Sequence, residues 1–349
     1  MRYRAKSPST DGSTIKYVLD APTRGWFASL RPPGNREKSI ESAFIHIPDR
    51  ADGKPEYILC LSSMVGCVYR CLMCANKYEA FYGCLSPSEL NEQIELTLEQ
   101  DGNLEKIMSA GSVEYAFMAI GEPLYGNNVI KAIQQHIPVV DDPSFDTRFA
   151  LTTVGAPGTI TKLTKAELPF LVRLELSLHF PNDRWRNQWL VPNHWYHTPK
   201  LSISQMLEEA EAYVQKHPET GKVTLNYTLI DGWNNMDESI QELSELIRGK
   251  EDIFYVKVMW PNLIDSFVFS WKREFTDGEW APGMDSRTYS PSEFRDKLEE
   301  AGVPATEFKS KGTDIWAGCG MMIIRSDKRE GIIPPEKIPQ ADPALLGFK

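Results

Sequence analysis

The chain has 349 residues and a formal net charge of −10 at pH 7, with 48 acidic against 38 basic side chains. This length can bury one barrel-sized core, and no apolar stretch approaches the roughly 18 residues that a membrane span needs. The acidic balance disfavours, without excluding, a basic face of the kind that grips a nucleic-acid backbone. Six cysteines, three of them close together, indicate a reducing compartment, so we expect a cytoplasmic protein that does not contact a membrane.

The chain begins with elements that we expect to be short. Residues 1–15 are polar and predict a flexible lead-in. Residues 16–56 predict a small N-terminal β extension, in which short strands surround a loop rich in proline and glycine. Residues 57–61 form a compact apolar run, which predicts a buried strand.

From there strands and helices alternate. Ser-Pro-Ser-Glu occurs at Ser86 and at Ser290, and each copy predicts a helix that begins with a capping box. Further strands are predicted at 113–120, 148–153, 172–179, 223–230, 254–259 and 306–309, and further helices at 159–166, 202–215 and 236–248. This alternation predicts an α/β fold over residues 57–324, a partial open barrel of parallel strands with its site at their carboxyl ends. An irregular insertion at 263–289 interrupts the barrel, and a tail at 325–349 with four prolines predicts an extended wrap.

A group of three cysteines is the strongest chemical signal. Cys67, Cys71 and Cys74 have the spacing C-x3-C-x2-C, which brings three thiolates onto one loop. Structural zinc normally has four protein ligands, and no second cysteine pair is present. A 4Fe-4S cluster held by three cysteines fits better, because its fourth iron is free to bind a cofactor or a substrate. Zinc, or a chance spacing, is the alternative interpretation.

These cysteines resemble those of the radical S-adenosylmethionine (SAM) enzymes. With Cys60, Cys319 and the segment Cys-Leu-Ser-Ser-Met-Val-Gly-Cys at 60–67, the resemblance narrows to the class A radical SAM methyltransferases, the RlmN and Cfr family of ribosomal RNA adenine methylases. It implies a 4Fe-4S cluster, SAM as the second cofactor, a 5′-deoxyadenosyl radical, and the radical SAM partial (βα)6 barrel, which is TIM-like. It also implies a reductase or flavodoxin-type electron donor. The family's helical N-terminal RNA-binding domain has no room in this sequence.

The resemblance gives three residues a part in the reaction. Cys319, in the segment 312–320, would carry a methyl group taken from one SAM, and the radical from a second SAM would take a hydrogen from that group before the carbon joins an sp2 carbon of the substrate. Cys60 would then form a disulfide with Cys319 and release the product. Glu41 would accept a proton, with a solvated surface glutamate as the equal alternative. An isolated cysteine is usually a small buried apolar residue, which is our interpretation of Cys84.

The resemblance also implies a set of SAM-binding residues at or just after predicted strand ends. They are Gly121, Glu122, Pro123, Thr153, Ser177, His179 and Asn262. The segment around Glu122 would receive the SAM amino group, and a simple turn is the alternative there. Ser177 and His179 share one face of a predicted strand, and a buried polar pair of this kind needs hydrogen-bond partners from a ligand or from the barrel interior.

The substrate is predicted less directly. A small heteroaromatic, a nucleotide or a natural-product-like molecule is favoured, because the chain is acidic and its tryptophan-rich insertion would suit a lid over a small ligand. The alternative is an adenine of ribosomal or transfer RNA, with unpaired bases stacked on aromatic side chains. The candidates for stacking are Trp185, Trp189, Trp195, Trp260, Trp271 and Trp280. Two further alternatives are a radical SAM enzyme that transfers no methyl group and a non-catalytic iron–sulfur redox protein; we expect a monomer.

Overall fold

In the computed structural model of this protein the described residues are 1–21, 39–48, 55–78, 80–136, 138–140, 142–191, 199–262, 287–318 and 320–322. The strands are β1 (Arg2–Pro8), β2 (Thr14–Asp20), β3 (Ser39–Ile47), β4 (Glu56–Cys60), β5 (Met64–Val65), β6 (Gly83–Cys84), β7 (Ser112–Phe117), β8 (Asp146–Thr153), β9 (Leu171–Ser177), β10 (Val223–Thr228), β11 (Phe254–Met259) and β12 (Ala305–Glu307). The helices are α1 (Pro87–Leu98), α2 (Asn103–Ala110), α3 (Asn128–Gln134), α4 (Thr159–Lys165), α5 (Asp183–Trp189), α6 (Ile203–Lys216), α7 (Asp237–Ile247) and α8 (Pro291–Glu300).

One ten-stranded sheet organises the described part of the chain, in the order β1-β2-β3-β4-β7-β8-β9-β10-β11-β12. Its first four strands pair antiparallel. From β4 to β12 every neighbouring pair is parallel. The six longer parallel strands with their helices form the partial (βα)6 barrel, and β1, β2 and β3 extend its sheet. The predicted α/β class and β extension are thus confirmed, while the tail at 325–349 lies outside the described residues.

The expected flexible lead-in at residues 1–15 is wrong, because β1 occupies most of it. Arg2 lies opposite Asp20 on β2 and forms an ion pair with it at 2.6 Å. Tyr3 meets the edge of the Tyr17 ring, with 6.5 Å between the ring centroids. Cross-strand pairs of this kind stabilise a sheet, and they depend on a partner strand that the local sequence does not reveal. The other predicted domain boundaries stay predictions.

Capping boxes begin three of the helices. The hydroxyls of Ser86, Ser202 and Ser290 each accept a hydrogen bond from the backbone amide three residues on. The side chain at that position accepts a hydrogen bond from the backbone amide of the serine. The predicted starts at Ser86 and Ser290 are therefore confirmed. Within the described ranges no helix is both long enough and apolar enough to cross a membrane.

The two faces of the sheet differ in chemistry. Alternation along each strand sends apolar side chains to the helices, where they form the main core. The inner face of the barrel carries charged pairs instead. Arg173 on β9 binds Glu114 on β7 at 2.7 and 3.0 Å, and Lys257 on β11 binds Glu175 on β9 at 2.7 Å. The polar inner face opens into a cavity at the carboxyl ends of the strands.

Candidate active site

The three motif cysteines lie on the loop between β4 and α1. Cys67, Cys71 and Cys74 all line the cavity. The loop is tightly turned, since the amide of Cys74 donates to the carbonyl of Cys71 at 2.9 Å and the amide of Tyr69 donates to Cys67 Sγ at 3.4 Å. Burial raises the pKa of each thiol, that of Cys71 to about 12. Such thiols become thiolates only where a strong positive charge compensates them.

The arrangement of these thiols fits an iron–sulfur cluster. Within the described ranges, no three cysteine, histidine or acidic side chains are close enough to bind one metal ion. In a 4Fe-4S cluster each cysteine binds a different iron, so the sulfurs stand farther apart than the ligands of one ion. The three motif thiols that line the cavity are one ligand short of a structural zinc site and are the number that a cluster with one open iron uses.

The end of α5 supports the cysteine loop from behind. The amide of Leu72 donates to the carbonyl of Trp189 at 2.9 Å, and the amide of Arg70 donates to that of Val191 at 2.7 Å. The Trp189 ring is fully buried and packs with Trp185, Trp233 and Phe180. Two of the tryptophans considered as stacking surfaces thus hold the loop in place. Three others, Trp195, Trp271 and Trp280, lie outside the described residues.

Gly121 and Glu122 follow β7 and line the cavity. Gly121 has φ +119°, and a Cβ there would lie 2.5 Å from Ser63 Oγ, so this close approach requires glycine. The buried Glu122 carboxylate accepts hydrogen bonds from Thr153 Oγ1 at 2.5 Å and from the amide of Val154 at 2.8 Å. Burial raises the pKa of Glu122 to about 7. Glu122 thus ties the end of β7 to the end of β8.

His179 lines the cavity with Ser177 and Asn262. Strand β9 ends at Ser177, and His179 reaches the cavity with φ +55°. Its Nδ1 accepts a hydrogen bond from the amide of Thr228 at 3.2 Å, so the ring proton resides on Nε2. Burial, with a smaller effect from Arg186, lowers the pKa of His179 to about 3, so the ring is neutral at pH 7. His179 is therefore a neutral donor for a ligand oxygen.

Two predicted SAM residues are not among those that line the cavity, namely Pro123 and Thr153. The Thr153 hydroxyl is already used, since it donates to Glu122 and accepts from the amide of Gly155 at 3.0 Å. Its neighbour Thr152 lines the cavity instead, and its buried hydroxyl has no hydrogen-bond partner among the described residues. A bound ligand would satisfy that hydroxyl. Strand alternation within the Thr-Thr pair is the signal that distinguishes the two residues.

Cys319 lies outside the described residues, but its neighbours in the chain lie at this cavity. The carbonyl of Gly320 accepts a hydrogen bond from the amide of Ala75, next to the last motif cysteine, at 2.7 Å. On the other side, a Cβ at Gly318 would lie 3.0 Å from Asn262 Nδ2. The described chain on both sides of position 319 is therefore held between the cysteine loop and Asn262.

Cys60 packs against the same segment. It belongs to one apolar cluster with Ala317 and Met322, which flank the undescribed position, and with Ala43 and Ile120. Sequence separation gives no hint of this contact, because Cys60 ends β4 and the segment follows β12. Cys60 thus lies in one cluster with described residues on both sides of position 319, and its pairing with Cys319 stays a prediction.

Glu41 lies on β3, two residues before Ala43 and on the same face of the strand. It is only 2 % exposed and forms an ion pair with Lys16 Nζ at 3.3 Å. The solvated surface alternative is therefore wrong. Glu41 is also not among the residues that line the cavity.

Cys84 is half-buried, its Sγ lies 4.0 Å from the carbonyl oxygen of Tyr125, and it does not line the cavity either.

Comparisons with known proteins agree with this geometry. The sequence profile of the Radical SAM superfamily matches residues 61–247, more than half of the chain. The chain belongs to the radical SAM superfamily. It is 28% identical over 301 residues to the dual-specificity RNA methyltransferase RlmN of Marinomonas sp., covering 86% of this chain and 73% of that one. It is 30% identical over 292 residues to the probable RlmN of Thermotoga petrophila, covering 83% and 74%.

A solved structure shares the fold of this radical SAM protein. It is a radical SAM methyltransferase from Sphaerobacter thermophilus, with a TM-score of 0.63 at 23% identity over 91% of this chain and 80% of that chain. The protein is thus a radical SAM methyltransferase of the RlmN type, and its cofactors are a 4Fe-4S cluster and SAM. The prediction of a methyl-transferring enzyme is confirmed, and the alternative of a non-catalytic redox protein is not favoured.

Proposed function

We propose that this enzyme methylates an adenine carbon in RNA and that Cys319 carries the methyl group. One observation carries the proposal: the described neighbours of position 319 contact the cysteine loop, Asn262 and Cys60. The described chain on both sides of position 319 therefore lies beside the loop that would hold the cluster. A radical SAM enzyme that transfers no methyl group has no use for such a cysteine pair.

The residues of the cavity divide into two tasks. Cys67, Cys71 and Cys74 hold the cluster. When bound, the cluster and SAM supply the one-electron chemistry that activates a methyl group. Ser177, His179 and Asn262, with Gly121 and Thr152, would bind and orient SAM, and their places at one cavity support this role. The neutral ring of His179 would donate from Nε2 to an oxygen of SAM without adding a positive charge near the SAM sulfonium.

Cys60 and Glu41 act on the other side of the segment that contains Cys319. Cys60 belongs to one apolar cluster with Ala317 and Met322, which suits a thiol that closes a disulfide with Cys319 and releases the product. Glu41, on the inner side of β3 beside Lys16, is buried and acidic, which suits a proton acceptor. Both roles rest on the resemblance together with these positions.

RNA is the proposed substrate because the relatives in the comparison carry the name of RNA methyltransferases. The small-molecule substrate that the sequence favoured has no support among them. The mouth of the cavity is compatible with RNA. Trp260 lines the cavity and is 46 % exposed, so an unpaired base has a ring on which to stack. Lys309 and Lys311 are exposed on either side of Ser310, which accepts a hydrogen bond from Asn262 at 2.6 Å.

The methyl-carrier role is tested first, without RNA. The anaerobically reconstituted and reduced enzyme is incubated with SAM, and the peptide that contains Cys319 is analysed by mass spectrometry. We expect one added methyl group on Cys319 in the wild type and in the matched control Cys84→Ser. An unmodified Cys319, together with SAM cleavage, would remove the methyl-carrier role.

The substrate is tested with ribosomal and transfer RNA that lack the modification. Liquid chromatography with mass spectrometry of the digested RNA should show a methylated adenosine after incubation with the wild type, and none with Cys319→Ser. Small heteroaromatic molecules serve as the competing substrates. Methylation of one of these, with RNA unmodified, would refute RNA as the substrate and leave the carrier role intact. A flavodoxin-type electron donor, a cytoplasmic location and a monomeric state stay predictions.

A further inference from the structure

A buried arginine lies behind the cofactor-binding loops. Arg186 on α5 is fully buried. Its Nη2 donates to the carbonyls of Val154 and Ser177 at 2.6 and 3.1 Å, and its Nη1 donates to the carbonyl of Leu201 at 3.4 Å. The guanidinium therefore joins the ends of β8 and β9, the two strands whose following residues line the cavity.

The charge of Arg186 has no carboxylate partner. Each of its hydrogen-bond acceptors is neutral, and among the described residues no acidic side chain lies within ion-pair distance of it. The nearby carboxylate of Asp183 accepts from the amide of Ile203 at 3.0 Å instead. Burial lowers the pKa of Arg186 to about 10, so the group stays cationic at pH 7. Burying a charge is costly, and negative groups nearby offset that cost.

After Asp183, Cys71 of the cysteine loop is the group whose negative charge acts most on Arg186. Val154, whose carbonyl binds Arg186, packs in one cluster with Cys67, Cys71 and Leu190. A second cation approaches from the other side, since Lys200 Nζ donates to the carbonyl of Leu190 at 2.6 Å. Arg186 and Lys200 thus both lie close enough to Cys71 for its charge to act on them.

We propose that Arg186, assisted by Lys200, is a positioning residue that favours the reduced form of the cluster. A 4Fe-4S cluster with three thiolate ligands carries a net negative charge, and one electron from the external reductant increases it. A fixed cation in a site that water does not reach lowers the cost of that added charge. The same guanidinium keeps the ends of β8 and β9 in place. The inference rests on the presence of the cluster and is independent of the RNA substrate.

The test is a redox titration of the reconstituted cluster, followed by electron paramagnetic resonance. The variants are Arg186→Met, Arg186→Lys and Lys200→Met, with Lys162→Met as the control because Lys162 is an exposed cation on α4. At a fixed potential we expect the ratio of reduced to oxidised cluster to fall about tenfold in Arg186→Met, which corresponds to a reduction potential lowered by about 59 mV for a one-electron couple. Lys200→Met should lower the reduction potential by a smaller amount. Arg186→Lys and Lys162→Met should stay close to the wild type.

Each outcome decides the inference. An unchanged potential in Arg186→Met, or equal shifts in the methionine and lysine variants, would overturn the role of the charge. Iron and sulfide content verify that each variant holds a complete cluster. If Arg186→Met does not fold, Lys200→Met decides: a lowered potential supports the inference and an unchanged one overturns it. Because the titration needs no RNA, its failure is distinct from failure of the proposed substrate.

Discussion

Replacing Lys257 by methionine should destabilise the protein in a way that depends strongly on pH. Lys257 Nζ lies 2.7 Å from Glu175 in the floor of the cavity, and Glu175 also accepts from Asn226 Nδ2 at 2.9 Å. Burial alone would raise the pKa of Glu175, but Lys257, Asn226 and Arg173 together hold it below its ordinary value. Methionine has a similar volume and no charge, so the variant leaves a buried carboxylate that has lost its closest cation.

The loss of unfolding free energy in this variant has an upper limit, because Glu175 can bind a proton and become neutral. For a glutamate with an ordinary pKa near 4.3, protonation costs about 3.7 kcal/mol at pH 7 and about 1 kcal/mol at pH 5. The sign follows from linkage, since in the variant the folded pKa of Glu175 lies above the unfolded one. The stability of the variant relative to the wild type is then present below the unfolded pKa of Glu175 and is lost as pH rises through the folded pKa. The loss at pH 7 should therefore be a few kcal/mol, of the size found for broken buried pairs.

Urea unfolding of the cluster-free protein measures this loss as the difference between the variant and the wild type at pH 7 and at pH 5. We expect the difference to shrink by about 2 to 3 kcal/mol at the lower pH. The double variant Lys257→Met with Glu175→Gln should recover much of the loss at pH 7. Lys162→Met, at an exposed position, serves as the control and should change little at either pH. An equal loss at both pH values would refute the electrostatic explanation and point to packing alone.

Three further predictions concern other parts of the molecule. Burial lowers the pKa of His136 to about 4. The stability that the neutral ring contributes is therefore present above about pH 6.5 and is lost as pH falls to about 4. His136→Phe should reduce this fall in unfolding free energy by up to about 3 kcal/mol, and an unchanged fall would contradict the prediction. Gly312 has φ +64°, and a Cβ there would lie 2.8 Å from Thr14 Cγ2, so Gly312→Ala should slow the methylation of Cys319. Gly249→Ala is the control, because Gly249 has a similar φ of +77° but a Cβ there would meet no other atom, and it should not slow the methylation. Equal rates would show that this contact does not position the segment. Trp260→Ala should weaken RNA binding by about 1 to 3 kcal/mol in a filter-binding assay and leave the methylation of Cys319 unchanged. Met108→Ala is the control, because Met108 is an exposed side chain elsewhere on the surface. If Trp260→Ala binds RNA as tightly as the wild type, stacking on Trp260 is refuted.

The features that sequence predicted well are those with local causes. The capping boxes at Ser86 and Ser290 are complete within four residues, so both helix starts were correct. The alternation of strands and helices fixed the parallel barrel for the same reason. Strand β1 was missed because its stabilising partners, such as Asp20, lie on another strand.

The site was predicted in type more readily than in detail. Cysteine spacing identified the cluster, because ligand chemistry demands those residues at that spacing. The sequence alone does not distinguish Thr152 from Thr153, since only the three-dimensional structure shows which hydroxyl Glu122 binds. Arg186 left no signal in the sequence, because its partners are backbone carbonyls that any residue could supply.

Strands β1 to β3 and the segment 312–322 come from opposite ends of the described chain and meet on one wall. Thr10 binds the Asp314 carboxylate through its amide at 2.7 Å and its hydroxyl at 2.8 Å, and the side chain of Thr14 crowds Gly312. This wall lies outside the stretch that matches the superfamily, as do Cys60 and Cys319. Because Thr10 and Thr14 hold the segment around position 319 from the first hairpin, a change in β1 or β2 can move a wall that is about 300 residues away in the sequence.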